Sequence, residues 1–155
     1  MAPDSRENLV HVVLGHSYLI YFVGVIFGAG LQAVLGYELT DTRLNGLGAA
    51  LIVIGTIVML WAQNTSRQTH EIRLGKDIVH DDFYRGPYRF TRSPTHLSLG
   101  LVVIGLAFVF NSLAMLTTAI ITFLITRYVF IRKEEILLER KYGEPYLAYK
   151  KRVRY

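Results

Sequence analysis

Residues 93–126 read SPTHLSLGLVVIGLAFVFNSLAMLTTAIITFLIT, and these 34 residues include no Asp, Glu, Lys or Arg. A helix needs roughly 20 mostly apolar residues to cross a bilayer, so the stretch is long for one span and short for two. The polar pair Asn111-Ser112 interrupts it, and a second apolar run follows. We therefore predict two antiparallel helices, at about 95–110 and 113–131, joined by a tight turn.

Two more stretches lack charged residues, one between Glu7 and Glu38 and one at 44–66. They predict spans at about 15–37 and 44–63, which makes four transmembrane helices. The first stretch has no basic region before it, so we expect a retained span and not a signal peptide.

The composition supports one membrane domain over 1–155. Apolar residues make up 52% of the 155 residues and charged residues only 19%, whereas soluble domains average about 25% charged residues. A soluble enzyme, a disordered chain and a collagen-like fibre are thereby excluded. The absence of cysteine excludes a disulfide framework and a thiolate metal site. We predict an all-α multi-pass membrane protein.

Basic residues are concentrated after the second and the fourth predicted spans. Residues 64–92 carry six Lys and Arg and the residues after 131 carry eight, whereas the loop between the first two spans has only Arg43. The positive-inside rule then places the long loop, the tail and both termini in the cytoplasm. A membrane face explains the net charge of +5, so we expect a lipid bilayer as partner and no nucleic acid.

The first polar segment, 80–99, reads HDDFYRGPYRFTRSPTHLSL. Gly86-Pro87 marks a turn, and Ser93-Pro94 can begin the third span. If the segment is helical, the spacing of Arg85, Arg89 and Arg92 gives it one basic face. Such a face suits either an interfacial anchor on lipid phosphates or a cytosolic pocket for a small anionic or zwitterionic ligand.

The second polar segment, 132–155, reads RKEEILLERKYGEPYLAYKKRVRY. Gly143 can end one helix, and Glu144-Pro145 can begin a short amphipathic helix at the membrane interface. On this helix Tyr146 and Tyr149 share a face with Tyr142, as expected of an interfacial anchor. The adjacent acidic pair at 134–135 fits an anchor poorly, because an anionic leaflet repels carboxylates that no cation holds.

Together the two segments resemble the isoprenylcysteine carboxyl methyltransferase family, which takes in the phospholipid N-methyltransferases. The family pattern is G-P-Y-R-[FY]-x-R-[HN]-P-x-Y, a helical hairpin, E-E, and [FY]-G-E-x-Y-x-x-Y-[KR]-[KR]-R-V. This chain has GPYRFTRSP at 86–94, EE at 134–135 and YGEPYLAYKKRV at 142–153. The resemblance covers 73–155. It implies a membrane methyltransferase that uses S-adenosyl-L-methionine, releases S-adenosyl-L-homocysteine and acts on a lipophilic acceptor.

The resemblance also implies site residues, in two cofactor segments at 73–96 and 132–155. The positions that match the family's cofactor-binding stretches, or that carry suitable side chains beside them, are His80, Asp81, Asp82, Phe83, Tyr88, Arg89, Arg92, Ser93, Pro94, Thr95, His96 and Glu134. The candidate catalytic residues are Glu134 with Arg127 or Arg132. The family's substrate-side arginine falls on Phe130 here, and Ser93 and His96 also depart from the usual motif.

The chemistry of this donor agrees with those residue types. Ring faces such as that of Tyr88 attract a sulfonium cation, and Arg89 or Arg92 can clamp a carboxylate. Glu134 suits an amino group or a ribose hydroxyl. Methyl transfer is a direct displacement, so the protein mainly positions and desolvates the reactants. No HExxH or similar histidine pair is present, and we expect no metal.

The acceptor is expected to enter from the bilayer, as either a prenylcysteine carboxylate-like or a phospholipid amine-like molecule. Two other functions are alternatives: a non-catalytic membrane anchor or partner-docking protein, and a nicotinamide-dependent membrane reductase. Gly24 and Gly28 in the first span match small-xxx-small spacing, which predicts close helix packing and is compatible with a homodimer.

Overall fold

The computed structural model describes residues 4–39, 44–73 and 84–153. These residues are helical apart from short connections, so the all-α prediction is confirmed. The elements are α1 (Asp4–Leu35), α2 (Leu44–Arg73), a 3₁₀ turn (Gly86–Arg89), α3 (Pro94–Val109), α4 (Leu113–Ile125), a π-helical segment (Thr126–Phe130), α5 (Ile131–Tyr142) and α6 (Glu144–Arg152).

Three helical stretches are long and apolar enough to cross a membrane, namely Tyr18–Leu35, Leu44–Arg67 and Leu113–Arg140. Helix α3 is also apolar but has only 16 residues. At 1.5 Å per residue it covers about 24 Å, less than the roughly 30 Å of a hydrocarbon core. Helix α1 begins before its predicted span, and α2 continues beyond the end of its own.

The order of the helices in space differs from their order in sequence. Helix α2 packs against α3, α3 against α4, and α4 against α1. The described parts of α1 and α2 therefore lie at opposite ends of a row, although they are consecutive in the chain. Only 11% of the spanning stretch of each is buried, so both outer helices present apolar surface to lipid.

Glycines let neighbouring helices approach closely. A Cβ atom at Gly48 of α2 would lie 2.6 Å from the carbonyl oxygen of Gly105 of α3, so the two backbones touch. On α1, Gly24 faces Thr122 of α4 and Gly28 faces Met115. The close packing predicted for Gly24 and Gly28 is confirmed within one chain, so these two glycines no longer argue for a homodimer.

Replacing Gly28 by alanine is expected to destabilise the protein, whereas replacing Gly30 is not. A Cβ at Gly28 would lie 3.0 Å from Cα of Met115, and one at Gly30 would meet nothing within 4 Å. Overpacking typically costs about 1–3 kcal/mol, while alanine favours a helix by up to about 1 kcal/mol over glycine. We expect the thermal unfolding midpoint of Gly28→Ala to lie below that of Gly30→Ala in the same detergent. Equal midpoints would show that α1 does not pack on α4 in this way.

The hairpin between α3 and α4 turns at the predicted Asn111-Ser112 pair. Asn111 adopts a left-handed conformation with φ of 51°, which asparagine tolerates better than most residues. The Ser112 hydroxyl accepts a hydrogen bond from the Met115 amide at 3.0 Å and donates one to Oε1 of Gln32 at 2.8 Å. The turn is thus tied to the end of α1.

Candidate active site

An ion network joins the segment before α3 to α5 and α6. Nη1 of Arg92 lies 2.7 Å from Oε1 of Glu135, and Nζ of Lys150 lies 3.2 Å from Oε2 of the same carboxylate. Lys150 also bonds Glu139, and this bond raises the pKa of the lysine. The Arg92 and Glu135 side chains are only 14% and 15% exposed. The network therefore holds three elements together from a largely desolvated position.

Tyr146 and Tyr149 share a face of α6, as their spacing predicts. This face packs on protein and not in the lipid headgroups expected of an interfacial anchor. Tyr146 and Tyr149 are each 2% exposed and form a buried cluster with Val153, against which Tyr84 and Tyr142 pack. The Tyr149 hydroxyl donates a hydrogen bond to the Tyr88 carbonyl oxygen at 2.8 Å. Burial raises the pKa of Tyr146 and of Tyr149 above the usual range. These hydroxyls therefore stay protonated at neutral pH.

Glu134 and Glu135 point to different partners. Oε2 of Glu134 lies 3.5 Å from Nε2 of His96 in the first turn of α3, too far for a good hydrogen bond. Tyr18 of α1 is near enough to interact with the charge of Glu134. Adjacent residues on a helix are about 100° apart. One carboxylate consequently faces His96 and the other faces Arg92.

The predicted basic face does not form, because the helical part of this segment is a single 3₁₀ turn. Arg85 and Arg89 are exposed, whereas Arg92 is half-buried on Glu135. Gly86 has φ of +53°, and a Cβ there would lie 3.0 Å from Cγ2 of Thr65 on α2. The turn therefore sits directly on α2 in a conformation that only glycine adopts easily.

The other candidate residues fall in three groups. Ser93, Pro94 and His96 are buried, and Tyr88 and Thr95 are half-buried. Arg127 is half-buried within the π-helical segment, and Arg132 is exposed. The predictions for His80, Asp81, Asp82 and Phe83 lie outside the described residues.

The π-helical segment is a feature that the sequence reasoning missed. It runs from Thr126 to Phe130 and so contains both Arg127 and the position where the resemblance expects an arginine. A π turn holds one more residue than an α turn, and such turns are frequent at functional sites. Sequence reasoning also missed the pairing of Glu135 with Arg92 and Lys150, since nothing in the spacing of these residues indicates which partners meet.

Comparison with known proteins identifies the family of the chain. A family model described as phospholipid methyltransferase matches residues 44–145. Neither the curated proteins nor the solved structures gave a match. The matched region runs from the start of α2 into α6, and it includes Arg92, His96 and both glutamates. With three helices able to span a bilayer, the chain is an integral-membrane methyltransferase and belongs to the phospholipid methyltransferase family.

Proposed function

We propose that the chain transfers a methyl group from S-adenosyl-L-methionine to a lipophilic acceptor that enters from the bilayer. The observation that carries this proposal is the meeting of α3, α5 and α6 at one end of the helices, where Arg92, His96 and Glu134 are brought together with buried tyrosines. Arg92, His96 and Glu134 lie within the family match, whereas the buried Tyr146 and Tyr149 follow its last residue. The basic residues around this end favour a cytoplasmic location.

The residues present fit the proposed donor. The Glu134 side chain is 18% exposed, and its ion-pair contact within the described part of the chain is the long one to His96, so it can receive the donor's amino group. Arg92 already contacts Glu135, which favours exposed Arg89 for the donor's carboxylate. The half-buried ring of Tyr88 suits the sulfonium. When bound, the donor supplies an electrophilic methyl group, and these residues orient it.

The family match favours a phospholipid amine over a prenylcysteine carboxylate as the acceptor. The row of helices supports access from the side, because the outer faces of α1 and α2 carry exposed apolar side chains and no soluble domain covers them in the described residues. Phe130, in place of an arginine, also leaves this position without a cation for an acceptor carboxylate. Half-buried Arg127 is the better placed of the two candidate arginines for an acceptor phosphate.

An assay with matched acceptors tests lateral entry. We expect an amine acceptor with long acyl chains to be methylated roughly 100-fold or more efficiently than its tailless, water-soluble counterpart. Each CH₂ removed from water contributes about 0.8 kcal/mol, roughly fourfold in partition, and so concentrates the acceptor in the micelle or bilayer. Both acceptors are compared at equal donor concentration. Equal efficiency would contradict lateral entry and would require a cytosolic acceptor.

A further inference from the structure

His96 has a buried nitrogen to which the described residues offer no hydrogen bond. The residue is 5% exposed, and its Nε2 has no hydrogen-bond partner among the described residues. Leaving a buried polar atom without a hydrogen bond is unfavourable. Its nearest charged group is Glu134, at 3.5 Å. This arrangement holds an imidazole beside a carboxylate with the nitrogen left open to a third group.

The proposed reaction needs such a nitrogen when the acceptor carries a proton on its nucleophilic atom. An ammonium group has no lone pair and cannot attack a methyl group until it loses a proton. Other groups nearby are committed elsewhere: Glu135 contacts Arg92 and Lys150, and the Tyr149 hydroxyl donates to a backbone carbonyl. Among the described residues at this junction, His96 and Glu134 are therefore the groups that can accept a proton.

We propose, on the basis of the function above, that His96 is the catalytic proton acceptor of this methyltransferase and that Glu134 stabilises the imidazolium that forms. Nε2 takes one proton from the acceptor's ammonium, which frees the nitrogen lone pair. The bond between the donor's methyl carbon and sulfur breaks with its electron pair left on sulfur, and a carbon–nitrogen bond forms. The imidazolium then returns its proton to water.

This role differs from the cofactor contact that the resemblance implies for His96. The family motif has a tyrosine at this position, and tyrosine, with an ordinary pKa near 10, is a poor proton acceptor at neutral pH. Histidine exchanges protons readily between pH 5 and 8. The departure from the motif thus places an acid–base group where the family pattern has none.

Two measurements on His96→Gln separate a proton acceptor from a cofactor ligand. Glutamine keeps a polar side chain of similar reach but does not accept a proton at neutral pH. We expect calorimetry to show S-adenosylhomocysteine binding within about threefold of wild type. Methyl transfer to a long-chain phospholipid with a primary amine should fall by roughly 10²- to 10⁴-fold, the usual range for general acid–base catalysis. Leu97→Ala, an exposed neighbour on the same turn, is the control and should keep both properties.

A smaller variant covers the case in which His96→Gln fails to fold. His96→Ala leaves space for a free five-membered ring. Imidazole should raise the rate of this variant at least tenfold, whereas pyrazole, a ring of the same size that is a much weaker base, should not. Three results would overturn the proposal: full activity in His96→Gln, a large loss of S-adenosylhomocysteine affinity in that variant, or no rescue by imidazole. If the wild-type protein itself binds no S-adenosylhomocysteine, the proposed function fails instead.

Discussion

Glu134→Gln is expected to bind S-adenosylhomocysteine roughly 10- to 150-fold more weakly than the wild-type protein. A hydrogen bond to a charged group contributes on the order of 1.5–3 kcal/mol, and glutamine removes the charge while keeping the shape. The wild-type Glu134 side chain is 18% exposed, and among the described residues Nε2 of His96 lies 3.5 Å from its Oε2. Isothermal calorimetry in detergent measures the change directly.

The matched control for this variant is Glu144→Gln. Glu144 lies in the first turn of α6 and is exposed. Its substitution therefore removes the same formal charge at a position outside the proposed site. Its affinity for S-adenosylhomocysteine should equal that of wild type. Wild-type affinity in Glu134→Gln would show that this residue is not a cofactor ligand.

Glu135→Gln is expected to lower the stability of the protein instead. The substitution removes the charge that Arg92 and Lys150 share. A loss of about 1.5–3 kcal/mol corresponds to a fall of roughly 3–12 °C in the melting midpoint for a chain of this size. Thermal unfolding in a fixed detergent, followed by circular dichroism, gives the midpoint.

Glu139→Gln is the control for the ion network. Glu139 bonds Lys150 but is 29% exposed, and exposed pairs contribute only about 0–1 kcal/mol. Its midpoint should fall less than that of Glu135→Gln. If Glu135→Gln melts at the same temperature as the wild type, the ion network does not hold α6 in place. The difference in role between Glu134 and Glu135 would then be wrong.

Local features of the fold were predictable from sequence because each has a local physical cause. The charge-free runs predicted the helices, and Asn111-Ser112 predicted the hairpin turn. Gly143, with φ of 60°, ends α5 at the expected place, and α6 begins at Glu144. The spacing of Tyr146 and Tyr149 predicted that they share a face of α6, but not that this face is buried against protein.

Features that depend on distant parts of the chain were not predictable. The separation of α1 from α2 depends on which apolar faces fit together, and four similar faces do not indicate their order. The π-helical segment at Thr126–Phe130 has no distinctive residue pattern. The basic face expected for Arg85, Arg89 and Arg92 was wrong, since Gly86 and Pro87 restrict the helical part to one turn and Glu135 draws Arg92 away.

Calorimetric titration of the purified wild-type protein with S-adenosylhomocysteine distinguishes a methyltransferase from the two alternative functions. We expect saturable binding at one site per chain, lost on denaturation and weakened in Glu134→Gln. A nicotinamide nucleotide titrated in the same detergent should give no binding. Binding of the nicotinamide nucleotide alone would favour the reductase, and binding of neither ligand would favour the non-catalytic anchor. Either result would be inconsistent with the proposed methyl transfer.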